Sequence, residues 1–219
     1  MESKAAKYTT TILDRCWLSK VTYELILSKP PSFDFSPGQR IHLCYGTTKR
    51  EYSLVSSPAD SKLILCIRLV SDGVLSPELG DIKSNTRLQF TGPHGYFTFK
   101  PSSRPAIFVA TGTGVAPFCS MVRSGIVGYT LLHGVQTAEE LYYADEFSSS
   151  AALYVPCLSA ADQSSESYFK GRVSDYLLNQ IPRDRYDFYL CGRAEMIRDI
   201  TFLVDDNFPG SFIYTESFY

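Results

Sequence analysis

The sequence predicts two folds in series: a small antiparallel β barrel or sandwich over residues 1–100, then a parallel α/β domain over residues 101–219. Three observations predict it. Short runs of β-forming residues, broken by Gly, Pro and Ser turns, crowd the first half. The hydrophobic period changes near residue 100, and buried apolar runs then alternate with helical stretches. Between the halves lies K-P-S-S-R-P, residues 100–105, with the composition of a connector.

The candidate strands of the first half are Y-T-T-T-I-L, V-T-Y-E-L-I-L, R-I-H-L-C-Y, E-Y-S-L-V-S, K-L-I-L-C-I-R-L-V and R-L-Q-F. S-K-P-P, S-P-G-Q, S-S-P-A-D and S-D-G separate them as turns, and V-L-S-P-E-L reads as one helical turn. In the second half the apolar strands are residues 106–110, 128–133, 152–158, 188–192 and 211–214. Helical stretches cover residues 116–122, 137–147, 173–180 and 193–206. This alternation predicts a parallel sheet of about five strands with helices on both faces.

With 219 residues, 44% apolar and 20% charged, the chain has the makeup of a soluble globular protein able to bury a large core. Aromatic residues are abundant, at 14%, which suits flat ligands and sheets alike. The net charge of −2 points to no particular partner. The halves differ, however: 13 Lys and Arg against 9 Asp and Glu up to residue 100 (+4), then 8 against 14 (−6). The basic first half could steer an acidic partner. No apolar run is long enough for a membrane span, and M-E-S-K-A-A-K-Y is not followed by a secretory h-region. The six Cys form no C-x-x-C pair and no iron–sulfur spacing, and most sit in apolar runs, which fits a reducing cytoplasm. No basic aromatic motif of a nucleic-acid reader appears, and no metal site is expected.

Two stretches of the second half carry chemistry. In A-I-F-V-A-T-G-T-G-V-A-P-F, residues 106–118, a buried strand ends in a Gly turn that opens a helix. Gly112 and Gly114 permit close approach of a ligand, Pro117 suits a first helical turn, and the N–H groups there favour a diphosphate. Such sites lie beyond the carboxyl ends of parallel strands. Pro117 stands where the dinucleotide fingerprint has its third Gly. Y-L-C-G-R-A-E-M-I, residues 189–197, repeats the arrangement, with Cys191 and Gly192 at a strand end; a buried strand Cys is the plainer reading of Cys191.

In the first half, R-E-Y-S-L-V-S-S-P, residues 50–58, sets Arg50 and Tyr52 on one face of a strand and Glu51 and Ser53 on the other. A cation, an aromatic ring and a hydroxyl so close could grip a flat ring carrying a phosphate. S-D-G-V-L-S, residues 71–76, offers N–H groups and a hydroxyl for a diphosphate. Either stretch could also be ordinary barrel structure.

The ordered series F-x-P-G-Q, R-x-Y-S-x-x-S, G-V-L-S, G-P-H-G-Y-F, T-G-T-G-V-A-P, C-G-R and E-S-F-Y resembles the ferredoxin–NADP reductase superfamily from about residue 8 to 219. It is most similar to the compact bacterial ferredoxin/flavodoxin reductases and the reductase modules of oxygenases. The resemblance implies a six-stranded antiparallel FAD-binding barrel followed by a five-stranded parallel-sheet nicotinamide-nucleotide domain. It implies FAD contacts for Arg50, Glu51, Tyr52 and Ser53, for the strand Ile67, Arg68 and Leu69, and for Val74, Leu75, Ser76 and Thr113. Within this group Arg50 and G-V-L-S take the diphosphate, Tyr52 stacks on the flavin and Ser53 approaches its N5. NAD(P) contacts fall to Gly112, Thr113, Gly114, Pro117, Lys170, Arg172, Cys191, Gly192 and Met196. Cys191 and Glu216 are expected beside the nicotinamide C4 and flavin N5, with Gly192 leaving room for the ring. Ser53, Cys191 and Glu216 form the catalytic group. A C-terminal aromatic covers the flavin in such reductases; Phe218 or, with a slipped register, Tyr219 would be that lid.

NADPH-using relatives place Arg at three positions, of which this chain has Gln136 and Ala160 at two and keeps Arg172, beside Lys170, at the third. The reading therefore leans to NADH. His42, His94 and His133 are expected to be structural. The implied activity is hydride transfer from NAD(P)H to FAD, then single-electron transfer to a ferredoxin, flavodoxin or oxygenase component. A free flavin or ferric reductase is the alternative enzyme, and a silent interaction module the alternative of another class. Oligomeric state is not legible.

Overall fold

Alternation along much of β2, β3 and β6 and part of β5 puts one side chain in two inside. The strands are β1 (Lys7–Ser19), β2 (Thr22–Ser28), β3 (Arg40–Tyr45), β4 (Thr48–Ser53), β5 (Lys62–Arg68) and β6 (Arg87–His94). Tyr23, Leu25 and Leu27 of β2 turn inward, as do Ile41 and Leu43 of β3 and Leu63, Leu65 and Ile67 of β5. Each such burial contributes on the order of 1.5–3 kcal/mol. The computed structural model describes residues 6–160 and 168–218.

The six strands form one antiparallel sheet in the order β4-β3-β6-β1-β2-β5. The two edges meet at Leu54, which bridges to Leu65 of β5, while Val55 N–H donates to the Ile64 carbonyl at 2.9 Å. That bridge curls the sheet into a barrel and pairs backbone that would otherwise lie open. Helix α1 (Leu75–Asp81) adds Leu75 and Leu79 to the core, and the buried Tyr23 hydroxyl donates to the Ser76 carbonyl at 2.6 Å.

The expected strand over residues 51–56 lies three residues earlier. Tyr45 pairs with Thr48 across a tight hairpin at Gly46, whose φ of 57° suits glycine, so β4 starts at once. The polar run T-K-R-E had hidden it.

The second half contributes β7 (Ala106–Thr111), α2 (Ala116–Arg123), β8 (Thr130–Val135), α3 (Ala144–Ser150), β9 (Leu153–Leu158), β10 (Phe169–Lys170), α4 (Val173–Gln180), β11 (Asp187–Arg193), α5 (Ala194–Asn207) and β12 (Phe212–Phe218). Strands β7 to β12 form a parallel sheet in the order β10-β9-β8-β7-β11-β12. It has six strands where five were expected. The addition, β10, is only two residues long and has no apolar run to announce it. The helix expected over residues 137–147 is broken into a 3-10 turn at Ala138–Glu140 and α3, because Tyr143 adopts a left-handed φ of 61°.

Ile107, Val109, Phe188 and Leu190 pack on one face of this sheet with Leu177 of α4 and Ile200 and Val204 of α5. Aromatic rings are layered through Phe108, Tyr129, Tyr189 and Tyr214: Phe108 stacks on Tyr129 at 4.6 Å and Tyr189 on Tyr214 at 4.7 Å. By packing, the chain divides into two units. One takes residues up to Phe99 together with Ala116–Ser124; the other takes Lys100–Val115 and the chain from Gly125 onward. Helix α2, read from sequence as part of the second domain, thus belongs with the barrel. All six cysteines are free thiols, and four of them are buried.

Where the connector enters the sheet, Arg104 Nε donates to Asp187 Oδ1 at 2.6 Å, and its guanidinium lies 4.1 Å from the centre of the Phe212 ring. The Asp187 side chain is only 2% exposed, so losing its partner leaves a buried charge. Arg104→Ala is expected to lower stability by about 2–3 kcal/mol. Urea denaturation of the variant and of Asp187→Asn, which leaves no carboxylate behind, measures the difference: the Asn variant loses less.

Candidate functional site

Within the barrel unit, β4 displays the R-E-Y-S side chains. Arg50 is exposed and donates from Nη1 to the Lys49 carbonyl at 2.9 Å. Tyr52 pairs with Ile41 and packs on the barrel core. Burial pushes its phenol up to about 12, against the smaller opposing pull of Arg50, so the ring is neutral across the physiological range. Ser53 ends the strand and is buried, paired with Arg40 across β3.

Glu51 points to the other face. Its carboxylate oxygens lie 2.9 Å from Arg40 Nε and 2.6 Å from His42 Nε2, and the His42 ring stacks on His94 at 3.9 Å. The Glu51 carboxylate, expected against FAD, lies here beside Arg40 and His42. Burial, then neighbouring Lys49 for His42 and the partner His42 for His94, holds both histidines below their ordinary 6.5.

Ile67 lies in the core, Arg68 is exposed, and Leu69 N–H donates to the Val21 carbonyl at 2.7 Å. Ile67 can thus meet a ligand only through its backbone. Val74 stands exposed at the start of α1, and no side chain caps that helix. Leu75 is buried. Ser76 Oγ accepts from Val70 N–H at 3.0 Å, which orients the hydroxyl and leaves its proton to donate.

In the second unit the T-G-T-G stretch forms a 3-10 turn, Gly112–Val115, between β7 and α2. Gly112 has φ 52°, and a Cβ there would meet nothing within 4 Å, so its outer side is open. Gly114 is the reverse case: a Cβ would lie 2.4 Å from the Cys191 carbonyl oxygen. Only glycine lets the turn rest on the end of β11. Gly192 has φ 140°, and its Cβ would lie 2.2 Å from Thr111 Oγ1, which accepts from Arg193 N–H at 3.2 Å. The space expected at Gly192 for a ring is taken on this side by Thr111. Sequence reasoning named Thr111 only as the first residue of T-G-T-G-V-A-P and gave it no role of its own.

The register sets Cys191 between Ala110 of β7 and Glu216 of β12. Cys191 is fully buried and Glu216 nearly so. Phe218 is half-buried and pairs with Arg193, so the expected tail continues the sheet instead of ending at Tyr214. Tyr219 lies outside the described residues. Pro117 is buried in α2, and Thr113 sits in the turn. Lys170 ends β10; Arg172 precedes α4 and donates its N–H to Asp175 Oδ2 at 2.9 Å. Met196 packs against the core of the second unit. Gln136 N–H donates to Glu140 Oε2 at 3.1 Å.

His133 supports the turn from below. It is fully buried, with Nδ1 3.1 Å from the Tyr154 hydroxyl, and the Gly112 backbone favours its protonated form less than burial opposes it. Burial pushes it down to about 3 from its ordinary 6.5. Among the described residues no cluster of His, Cys, Asp and Glu could hold a metal ion, and no helix is long and apolar enough to cross a membrane.

These two half-sites agree with what the chain resembles. Residues 18–99 match the oxidoreductase FAD-binding domain, and residues 108–201 match the oxidoreductase NAD-binding domain. The chain belongs to the ferredoxin–NADP reductase superfamily. It is 36% identical to methane monooxygenase component C of Methylosinus trichosporium, over 70% of this chain and 49% of that protein. It is also 36% identical to ferredoxin–NADP reductase B of Sorangium cellulosum, over 55% of this chain and 54% of that one. A ferredoxin–NADP+ reductase from Neisseria gonorrhoeae, solved with FAD and NADP, has the same fold: TM-score 0.85, 23% identity, covering 99% of this chain and 100% of the other. The chain spans about half to three fifths of the length of the curated relatives it matches.

Two outcomes follow from this superfamily member's geometry. Gly114→Ala should cost about 2 kcal/mol and displace the turn, with loss of dinucleotide binding in calorimetry. His133 is stabilising while neutral: with its folded value depressed, the contribution is complete above pH 6.5 and is lost as pH falls from there towards 3. Urea midpoints should decline over that window, and less steeply in His133→Gln.

Proposed function

We propose that this chain is an NADH-dependent flavoprotein reductase that passes electrons one at a time to a ferredoxin- or flavodoxin-like carrier or an oxygenase component. The observation that carries the reading is the Gly112–Val115 turn, open at Gly112 and resting on Cys191 at the carboxyl end of a parallel sheet. The barrel residues fit FAD: an exposed cation at Arg50, a neutral ring at Tyr52 and an oriented hydroxyl at Ser76.

Bound FAD supplies the two-electron to one-electron chemistry. Arg50, the Ser76 proton and the main-chain N–H groups of Val74 and Leu75 hold the diphosphate. Tyr52 stacks as a neutral phenol, and Ser53 donates towards the flavin N5. Gly112 and Thr113 receive the dinucleotide diphosphate through main-chain N–H groups. Cys191 and Glu216, neighbours in register, border the nicotinamide, and Phe218 is the lid. Domain limits at residues 1–100 and 101–219 describe the two cofactor halves along the chain, with α2 lent to the first.

Discrimination against a 2′-phosphate rests at Gln136. The neighbouring Glu140 carboxylate accepts the Gln136 N–H, so a phosphate there would meet a negative charge instead of an arginine. The basic balance of the first hundred residues suits an acidic carrier. Six free thiols suit a cytoplasmic setting.

Anaerobic titration of the yellow protein with NADH and with NADPH tests this directly. NADH should bleach the visible flavin bands at concentrations about tenfold lower than NADPH, and Gln136→Arg should narrow the gap. Equal response to both would overturn the NADH assignment. A protein that takes up no FAD would overturn the reductase, and steady turnover of free flavin without tight FAD binding would replace it with a flavin reductase. Carrier reduction should weaken as salt is added.

A further inference from the structure

The helix after the dinucleotide turn is tied to the segment after the flavin strand by serine hydroxyls that neither role explains. Ser120 of α2 is fully buried, and its Oγ donates to the Ser56 carbonyl at 2.7 Å. One turn on, Ser124 Oγ lies 3.2 Å from Ser57 Oγ and 2.7 Å from the Ser120 carbonyl. Ser56 and Ser57 close the R-E-Y-S-L-V-S-S run that begins at Arg50.

Both ends of this tie are themselves fixed. Leu54 N–H donates to the Gln39 carbonyl at 3.1 Å, Ser56 Oγ accepts from Ile64 N–H at 3.2 Å, and Ser57 N–H donates to Asp60 Oδ2 at 2.8 Å. On the helix side, Phe118 meets Phe97 edge-on at 5.6 Å. A Cβ on Gly38 would lie 2.6 Å from Met121 Cε, so Met121 fills the place beside the S-P-G-Q turn. A loop 54–60 held only by its own backbone could shift; one bonded to a seated helix cannot shift without moving that helix.

We propose that Ser120 is a positioning residue that couples dinucleotide binding to the flavin strand. Ordering of the Gly112–Val115 turn is carried by chain continuity into α2, and from α2 by the Ser120–Ser56 bond into residues 54–60 and so to Tyr52 and Ser53. The inference rests on the flavin and dinucleotide roles proposed above for these two segments. The Ser120–Ser56 bond itself joins a hydroxyl to a backbone carbonyl, neither of which titrates near neutrality.

Hydrogen–deuterium exchange on the FAD-loaded protein, with and without NAD+, tests it. In the wild type NAD+ should slow exchange in residues 112–123 and also in residues 54–60. In Ser120→Ala the first protection should remain and the second should fall about tenfold. Ser124→Ala, at an exposed site, should show a smaller loss in the same segment. Equal protection of residues 54–60 in wild type and both variants, or none in the wild type, overturns the coupling. If NAD+ fails to protect residues 112–123 in the wild type, the dinucleotide assignment itself is at fault. A nucleotide-independent photoreduction rate unchanged in Ser120→Ala, beside a hydride-transfer rate about tenfold lower, further supports positioning. Equal losses in both rates would instead mark general damage and overturn it.

Discussion

Backbone lies on backbone where the Gly112–Val115 turn meets the end of β11, and the second unit is arranged around that approach. At 2.4 Å from the Cys191 carbonyl, no side chain fits on Gly114. The contact fixes how far β7 runs before it turns, and so where the N–H groups of the turn point. Gly192, pressed against Thr111, repeats the demand from the facing strand. His133 completes the support by filling the space below with a ring that stays neutral because burial denies it a proton. Two glycines and a histidine thus serve one end: a close-packed, uncharged support for a turn whose outer side is open.

The barrel solves a different problem. The strand that carries R-E-Y-S, β4, ends the strand order, and edges of sheets bend and fray. Here the edge is held by the hairpin at Gly46, by the Leu54–Leu65 bridge and by the Arg40–Glu51–His42 group on its outer side. Glu51 and Tyr52 are adjacent in sequence yet do opposite work, one bracing the strand and the other presenting a ring. Alternation of side chains across a strand makes that division possible.

Much of this was legible in the sequence. Period-two alternation gave the barrel strands, buried apolar runs gave the central parallel strands, and the ordered glycine, serine and aromatic motifs gave the family. What was not legible has physical causes. β4 is built of T-K-R-E, with nothing apolar to mark it, because its pairing comes from a turn. β10 is two residues long and exists only through its partner β9. Tyr143 breaks a helix that propensity would have continued. Among the site residues, Arg50 and Tyr52 lie on β4, and the T-G-T-G turn lies between β7 and α2. The bracing role of Glu51 and the occupancy of the Gly192 space by Thr111 depend on neighbours distant in sequence. Serine hydroxyls at 120 and 124 carry no motif at all; only their partners give them meaning.

The assignment of α2 to the barrel makes the chain cross between units more often than a single connector would. It leaves the first unit at Lys100, returns for Ala116–Ser124 and leaves again at Gly125. The two halves are therefore not separable beads. A fragment ending at residue 100 would lack Phe118, Met121 and Ser120, taking from the Phe97 ring its edge-on contact with Phe118 and from the Ser56 carbonyl its Ser120 donor. The complementary fragment would carry a helix whose apolar side has lost its seat. Gene halves expressed apart should each be prone to aggregate, and mixing them should restore what neither holds alone.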